Sequence, residues 1–339
     1  MRASARERAA RAARFAAPAP CDGGPAALSA SPSAVKAARR AALKRKRRGS
    51  SDLEDTATHY GHCEHLEKTY LRLTGAVDWS KIRPPRVLKE SLEMVKQRWK
   101  KEKDYNFASS QLKSIRQDLT VQRCAENERW LLLCIQVYET NARISLESAD
   151  LEEMHQCLSV LDDLHAHGEK CTRDREVCIQ FRDEFAAYRV LHAIHAENTF
   201  FLNTARDLAA RSRQSIALAH AFAVLAAVRR NAYVRFFELH ESAPNMSGFL
   251  MDHMLQRVRR NAFQALLKSS YPELDLKIVQ EQLRFHDGRQ RAEGDMRKFL
   301  DRYELEYVYI KSRKGKRFPR AINVQALKKG SSSSSTKTR

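Results

Sequence analysis

Three groups of histidine and cysteine stand close enough together to do chemistry. His59, His62 and His65, with Cys63 between them, contain an H-x-x-H pair. Zinc wants four ligands in a fixed tetrahedral arrangement, and on a helix rings three residues apart spread along an exposed strip. His165, His167, Cys171 and Cys178 are a better ligand set by type. Their cysteine spacing of seven is unlike the short spacing of zinc motifs, and the stretch reads as an incidental loop. His192 and His195 lie beside Leu191 and Ile194 in an apolar helical pattern, which fits packed helix histidines better than a catalytic pair. The sequence holds no G-x-x-x-x-G-K-[ST], G-x-S-x-G or H-E-x-x-H, the signatures of a phosphate loop, a nucleophile elbow and a metalloprotease. The expectation is no enzyme: no catalytic residues, no metal and no cofactor.

Basic residues carry more information. Of the 339 residues, 1–50 hold 13 Lys/Arg against 2 Asp/Glu, and 311–339 hold 10 Lys/Arg and no acid. The 260 residues between them carry 38 basic and 39 acidic side chains, so the net charge of +20 lies at the two ends. A neutral body with basic arms suits a polyanion, and nucleic acid is the commonest one; solvated tails that aid solubility are the plainer reading. Lys44, Arg45, Lys46, Arg47 and Arg48 form a KRKRR cluster of the nuclear-localisation type. The Arg- and Ala-rich, acid-poor first twenty residues also resemble a mitochondrial transit peptide, and a non-specific basic arm is a third reading. Tyr233, Arg235, Phe236 and Phe237 interleave rings and charge as a base-stacking surface would, although their spacing fits a helix core better. Arg257, Arg259 and Arg260 follow Val258 as either a solvated face or part of a basic groove.

The elements that position these residues are mostly helices. Glycine is scarce, 11 of 339, which disfavours phosphate-cradling loops and hairpin-rich folds. Helical periodicity runs from Tyr60 to about Ser270. Leu88, Leu92, Val95 and Trp99 form one stripe, just after Pro84-Pro85, where a helix can begin. Leu131, Ile135, Tyr138, Ala142 and Leu146 form a second, and Leu151, Met154, Leu158 and Leu161 a third. The short Ser148-Ala149-Asp150 join makes these last two an antiparallel pair. Further stripes run through Phe185, Tyr188 and Leu191, through Leu218, Phe222 and Leu225, and through Leu250, Met254 and Val258. Stacked pairs of this kind predict an irregular, TPR-like solenoid.

After Pro272 the pattern changes. Leu276, Val279 and Leu283 outline a short helix, and Met296, Phe299, Leu300 and Tyr303 another. Glu306 to Ile310 is aromatic and β-branched and reads as a strand. A basic turn with Gly315 precedes a return strand over Ala321 to Leu327, with strands confined to the chain after about Glu306. Helix, helix, strand, basic turn, strand is the outline of a winged helix, in which a wing contacts phosphates; a structural cap on the solenoid has the same outline. If the Met296 stripe turns inward, Arg297, Lys298 and Arg302 face outward. Together with Lys311, Arg313, Lys314, Lys316, Arg317 and Arg320 they are the candidate nucleic-acid-binding residues. The expected organisation is a disordered basic arm over 1–55, a helical-repeat domain over 56–245, a winged-helix module over 246–327 and a disordered Ser/Lys tail over 328–339. Seven cysteines at irregular spacing read as reduced intracellular thiols. No apolar run is long enough to span a bilayer and the start has no secretory segment, so no membrane partner is expected.

Several long runs resemble the GANP-type PCI family, in the branch of the leukocyte receptor cluster member eight protein and its fungal relatives. They are EHLEKTYLRLTGAVDWSKIRPPRVLKESLEMVKQRWK (64–100), YNFASSQLKSIRQDLTVQR (105–123), VYETNARISLESADLEEMHQCLSVL (137–161), FAAYRVLHAI (185–194) and AHAFAVLAAVRRNAYVRFFELHESAPNMSGFLMD (219–252). The resemblance covers roughly 60–308. It implies an all-α repeat domain ending in a PCI winged helix with a small sheet. It also implies a nuclear, non-enzymatic scaffold in mRNA biogenesis: transcription elongation, processing or export-linked steps. The partners it implies are RNA or DNA, a second PCI protein resembling signalosome subunit twelve, and a small acidic Sem-one/DSS-one-type peptide. A subunit of a larger PCI assembly without nucleic acid is the alternative. Residues 165–182 depart from the family pattern as an inserted loop, the animal relatives' long low-complexity N-terminal region is absent, and Lys311 to Arg320 is unusually basic.

Overall fold

A computed structural model describes residues 59–325 except 73–74, 172–173, 212, 286–288, 304 and 312–316. The Lys44–Arg48 cluster, the N-terminal arm and the Ser/Lys tail lie outside the described residues, as do Arg313, Lys314 and Lys316.

The helical body begins at α1 (Pro85–Glu102), with Pro84 as N-cap and Pro85 in the first turn, where the missing N–H costs nothing. Its stripe Leu88, Leu92 and Val95 is fully buried, each side chain stabilising by about 2 kcal/mol relative to exposure. Lys103 ends the helix in the left-handed region. Asp104 then caps α2 (Tyr105–Val121) through the Phe107 N–H at 3.2 Å. Asn127 caps α3 (Glu128–Glu147), and Asp150 caps α4 (Leu151–Gly168) through Glu153 N–H. Between them Ala149 sits at φ 63°, and the Ala149 and Asp150 N–H groups bond back to Leu146 and Ser145 carbonyls. That closure sends α4 back along α3, the expected antiparallel pair.

The chain continues through α5 (Arg175–Ile179), α6 (Arg182–His195), α7 (Thr199–Thr204), α8 (Arg206–Arg211), α9 (Ile216–Arg229) and α10 (Tyr233–Glu241) to α11 (Ser247–Ser269). The stretch 165–182 is therefore not a plain inserted loop: α4 runs to Gly168, and α5 forms inside it.

The described residues of 59–84, expected to be helical, form no α-helix and have one short 3-10 turn at Trp79–Lys81. This strap is tied down from far away in sequence. Gln122 Oε1 accepts from the Gly61 N–H at 3.1 Å and Gln111 Oε1 from the Lys68 N–H at 3.0 Å. Gly61 also approaches the Ile82 carbonyl so closely that a Cβ would lie 2.0 Å from its oxygen. Beneath the strap, Arg83 is fully buried. It donates to Asp118 Oδ2 at 2.8 Å, the Leu66 carbonyl at 2.9 Å and Ser114 Oγ at 2.8 Å.

The C-terminal module follows as β1 (Glu273–Asp275), α12 (Leu276–Gln282), α13 (Arg289–Leu300), β2 (Tyr307–Lys311) and β3 (Arg317–Asn323). The sheet order is β1-β3-β2, all antiparallel. With α11 in front, the order helix, strand, helix, helix, strand, strand is that of a winged helix closing a mainly helical fold. Two expectations need correction. Strands are not confined to the chain after Glu306, because β1 pairs with the far edge of β3. The return strand spans 317–323 rather than 321–327, because pairing with β2 extends back to Arg317.

Two hydrophobic cores divide the fold. One runs from Leu88 to Val258; the other gathers Ala262, Phe263 and Leu266 with Leu274, Val279, Leu283, Phe285, Met296, Phe299, Leu300, Ile322 and Val324. Helix α11, about 35 Å long at 1.5 Å per residue, contributes its first half to one core and its second half to the other.

Candidate nucleic-acid interface

The C-terminal module is held by a ring cluster. Phe299 lies 5.6 Å from Phe263, 5.7 Å from Phe285 and 5.6 Å from Tyr303. These edge and tilted contacts add to area burial. They fix the rotation of α13 with Met296, Phe299 and Leu300 inward. Arg297, Lys298 and Arg302 are consequently exposed, and the first two lie in the last turn of α13, where cations suit the helix dipole. Burial raises the Tyr307 phenol above its ordinary value, helped by Asp301 and Tyr309 and opposed by Arg297.

Lys311 and Arg317 are register partners at the far end of the β2–β3 hairpin. Four residues of strand, about 13 Å, separate them from Tyr307. A register shift between Val308 and Tyr309 leaves Arg320 as the extra residue of β3, the mark of a bulge that re-aims a side chain. Arg320 is exposed and stands 3.9 Å from Asp275, a contact of little energy in water. Tyr309 and Ile310 on β2 are also exposed, at 56% and 49%.

The ambiguous arginines resolve individually. Arg257 donates to the carbonyls of Ile194 and His195 at the end of α6 and pairs with Glu197 at 2.5 Å. Arg259 donates to the carbonyls of Leu283 and Arg284 after α12 and stacks over Phe285 at 4.3 Å. One arginine ties α11 to the helical body and the other to the C-terminal module; Arg260 is exposed. Phe236 and Phe237 are buried, and Arg235 pairs with Glu238 at 2.9 Å, so this interleaved run is packing.

The histidine and cysteine groups occupy other places. His59, His62 and His65 lie on the strap, not on a helix; His59 is 5.8 Å from the Trp79 ring. His165 contacts Glu139 at 3.4 Å, while Cys171 and Cys178 are free, buried thiols. His192 stacks on His155 of α4 at 4.6 Å, and burial, then the charges of His155 and His195, push it down to about 4. His195 meets His253 of α11 edge-on at 5.6 Å. Among the described residues, no group of three or more His, Cys, Asp or Glu is placed to hold a metal ion, and no helix is long and apolar enough to cross a membrane.

Comparison with known proteins agrees with this architecture. The model of the SAC3/GANP family matches residues 43–308. The chain belongs to the SAC3/GANP family. It is 39% identical over 249 residues to a leukocyte receptor cluster member 8 homolog of Xenopus laevis, covering 73% of this chain and 29% of that protein. It is 39% identical over 259 residues to SAC3 family protein A of Arabidopsis thaliana, covering 75% and 24%. A THP3 homolog of Schizosaccharomyces pombe is 38% identical over 228 residues, covering 67% and 54%. The chain thus spans between a quarter and about half of the lengths of these SAC3/GANP relatives.

Proposed function

We propose that this SAC3/GANP chain is a non-enzymatic PCI-type scaffold that holds single-stranded RNA or DNA on its C-terminal module, in nuclear mRNA biogenesis. The observation that carries the reading is the placement of basic residues on that module. Ring packing fixes α13 so that Arg297, Lys298 and Arg302 face solvent, and the β2–β3 hairpin brings Lys311 and Arg317 together at its end. The sequence between them adds Arg313, Lys314 and Lys316 and no acid. Such a surface neutralises phosphates without a pattern of base-edge contacts, so binding should tolerate sequence and weaken with salt.

The partners proposed are a second PCI protein resembling signalosome subunit twelve and a small acidic Sem-one/DSS-one-type peptide. The exposed Tyr309 and Ile310 on the outer strand β2 support a protein contact beside the basic face, because an unpaired strand edge is a ready template for pairing. That same edge favours the second reading, a structural subunit of a larger PCI assembly without nucleic acid. Fluorescence titration of a labelled single-stranded RNA separates the two. The first reading predicts saturable binding that Arg297→Ala/Lys298→Ala/Arg302→Ala weakens; unchanged affinity in that variant removes the helix from the interface. The nuclear address rests on Lys44 to Arg48.

A further inference from the structure

A cavity of about 100 Å³ opens on the helical body along the seam between α4 and α6. Helical spacing builds its charged walls. Arg182 and Arg189 stand two turns apart on one face of α6, and Asp162 and Glu169 are set at the same interval along the end of α4. Arg211, the last residue of α8, adds a third guanidinium, and the buried Leu161 and Phe185 supply apolar lining. Arg182 pairs with Glu169 and Arg189 with Asp162, while Arg182 and Arg211 meet at the same oxygen of Asp183. The three arginine side chains are only 24% to 32% exposed, whereas Asp162 and Glu169 reach into solvent at 56% and 42%. Arg211 Nε is buried and has no hydrogen-bond partner among the described residues. It lacks the acceptor that a buried donor ordinarily has. The remaining titratable group of the lining, His165, contacts Glu139 at 3.4 Å.

We propose that this cavity receives the phosphate of a peptide phosphorylated on Ser or Thr that carries Lys or Arg beside the phosphate. The donors suit that group. A phosphoserine bears a charge of about −1.5 to −2 and three acceptor oxygens, which arginine meets with a planar fork. Arg211 Nε supplies an unpaired N–H, and Arg182 and Arg189 become available as Glu169 and Asp162 swing outward. Those two ion pairs are partly exposed and contribute little, so exchange for a doubly charged group is favourable. Asp183 lies outside the lining and keeps Arg182 and Arg211 together. Size selects a small group: pockets for drug-sized molecules run to about 300–1,000 Å³, so a nucleotide does not enter whole. The displaced carboxylates select the carrier. They repel an extended run of phosphates, which disfavours RNA here, and they offer partners to cations flanking a lone phosphate. None of these residues belongs to the basic surface of α13 and the β2–β3 hairpin.

The test is fluorescence anisotropy of the full chain with a labelled peptide Arg-Arg-Ala-phosphoSer-Val-Ala and with its unphosphorylated twin, at about 0.15 M salt. The expected result is binding of the phosphorylated peptide about tenfold tighter than its twin. Arg189→Gln/Arg211→Gln should lose that preference, and Lys311→Ala/Arg317→Ala should keep it. The two glutamines also remove ties to α4 and Asp183, so a second measurement uses the unaltered chain: phenylglyoxal modification of arginine, read by mass spectrometry. The phosphopeptide should slow modification of Arg182, Arg189 and Arg211 and leave Arg297 and Arg302 at their own rates. Equal binding of the two peptides overturns the proposal, as does a preference that survives in the glutamine variant or disappears in the alanine variant. Protection of the α13 arginines without the three of the cavity has the same consequence. A single-stranded RNA that protects the three as well as the phosphopeptide does would assign the cavity to RNA instead.

Discussion

Replacing Asp118 with alanine tests how the strap is held. Asp118 is 0% exposed and binds two cations, Arg83 Nε at 2.8 Å and Lys68 Nζ at 2.7 Å. The Arg83 guanidinium is itself 0% exposed and keeps only neutral partners, the Leu66 carbonyl and Ser114 Oγ, once the carboxylate is gone. Removing one member of a buried pair costs about 3–5 kcal/mol, because the remaining charge is stranded. Lys68 is 21% exposed and can turn to water, so it adds little. The double variant Arg83→Met/Asp118→Leu removes both buried charges and should be less destabilised than the sum of the single changes by roughly 2 kcal/mol. Urea unfolding with a constant m-value gives all three numbers. A companion readout is proteolysis within 59–71, which should accelerate in Asp118→Ala as the strap lifts. A loss of less than about 1 kcal/mol in Asp118→Ala would refute the argument that this ion pair is a desolvated anchor.

Phe299→Ala should cost about 3–5 kcal/mol, because its ring touches Phe263, Phe285 and Tyr303 at once; a thermal melt of the full chain that barely moves would contradict the ring cluster. Acid should destabilise the fold through His192. Its folded value lies near 4, below the ordinary 6.5, so the unfolded chain takes up the proton first. Stability is complete above about pH 6.5 and falls as pH drops toward 4, by roughly 2 kcal/mol for this partly exposed ring. His192→Gln should flatten that slope in urea titrations at pH 7.5 and 5, and an unchanged slope would show that His192 is not its source. Replacing Lys44, Arg45, Lys46, Arg47 and Arg48 by alanine should move a fluorescent fusion of the full chain from nucleus to cytoplasm, whereas mitochondrial import with cleavage would support the transit-peptide reading.

Much of the helical body was legible because its stripes are both periodic and buried: Leu88, Leu92 and Val95 in α1, Met154, Leu158 and Leu161 in α4, Phe185, Tyr188 and Leu191 in α6. The exposure of Arg297, Lys298 and Arg302 followed from the same period. What failed depends on distant partners. The strap 59–84 has apolar residues such as Leu66 and Leu71, yet its own buried Arg83 and the side chains of Gln111 and Gln122 far along the chain hold it in a non-helical course. Strand β1 reads Glu-Leu-Asp, a poor strand by composition, and exists because β3 pairs with it. The early start of β3 was hidden by basic residues that look like a turn. Arg257 and Arg259 carry charges a sequence cannot assign; only the geometry shows them bonded to carbonyls at the ends of α6 and α12.

The salt dependence of RNA binding tests the central claim most directly. Each phosphate held on a single strand contributes a log–log slope of about −0.7. If Lys311, Arg313, Lys314, Lys316 and Arg317 each hold one, changing all five to alanine should flatten the slope by roughly 3 units. Deleting residues 1–50 should leave most of the slope in place. A five-alanine variant with an unchanged slope, and a deletion that abolishes binding, would move the interface from the hairpin to the N-terminal arm.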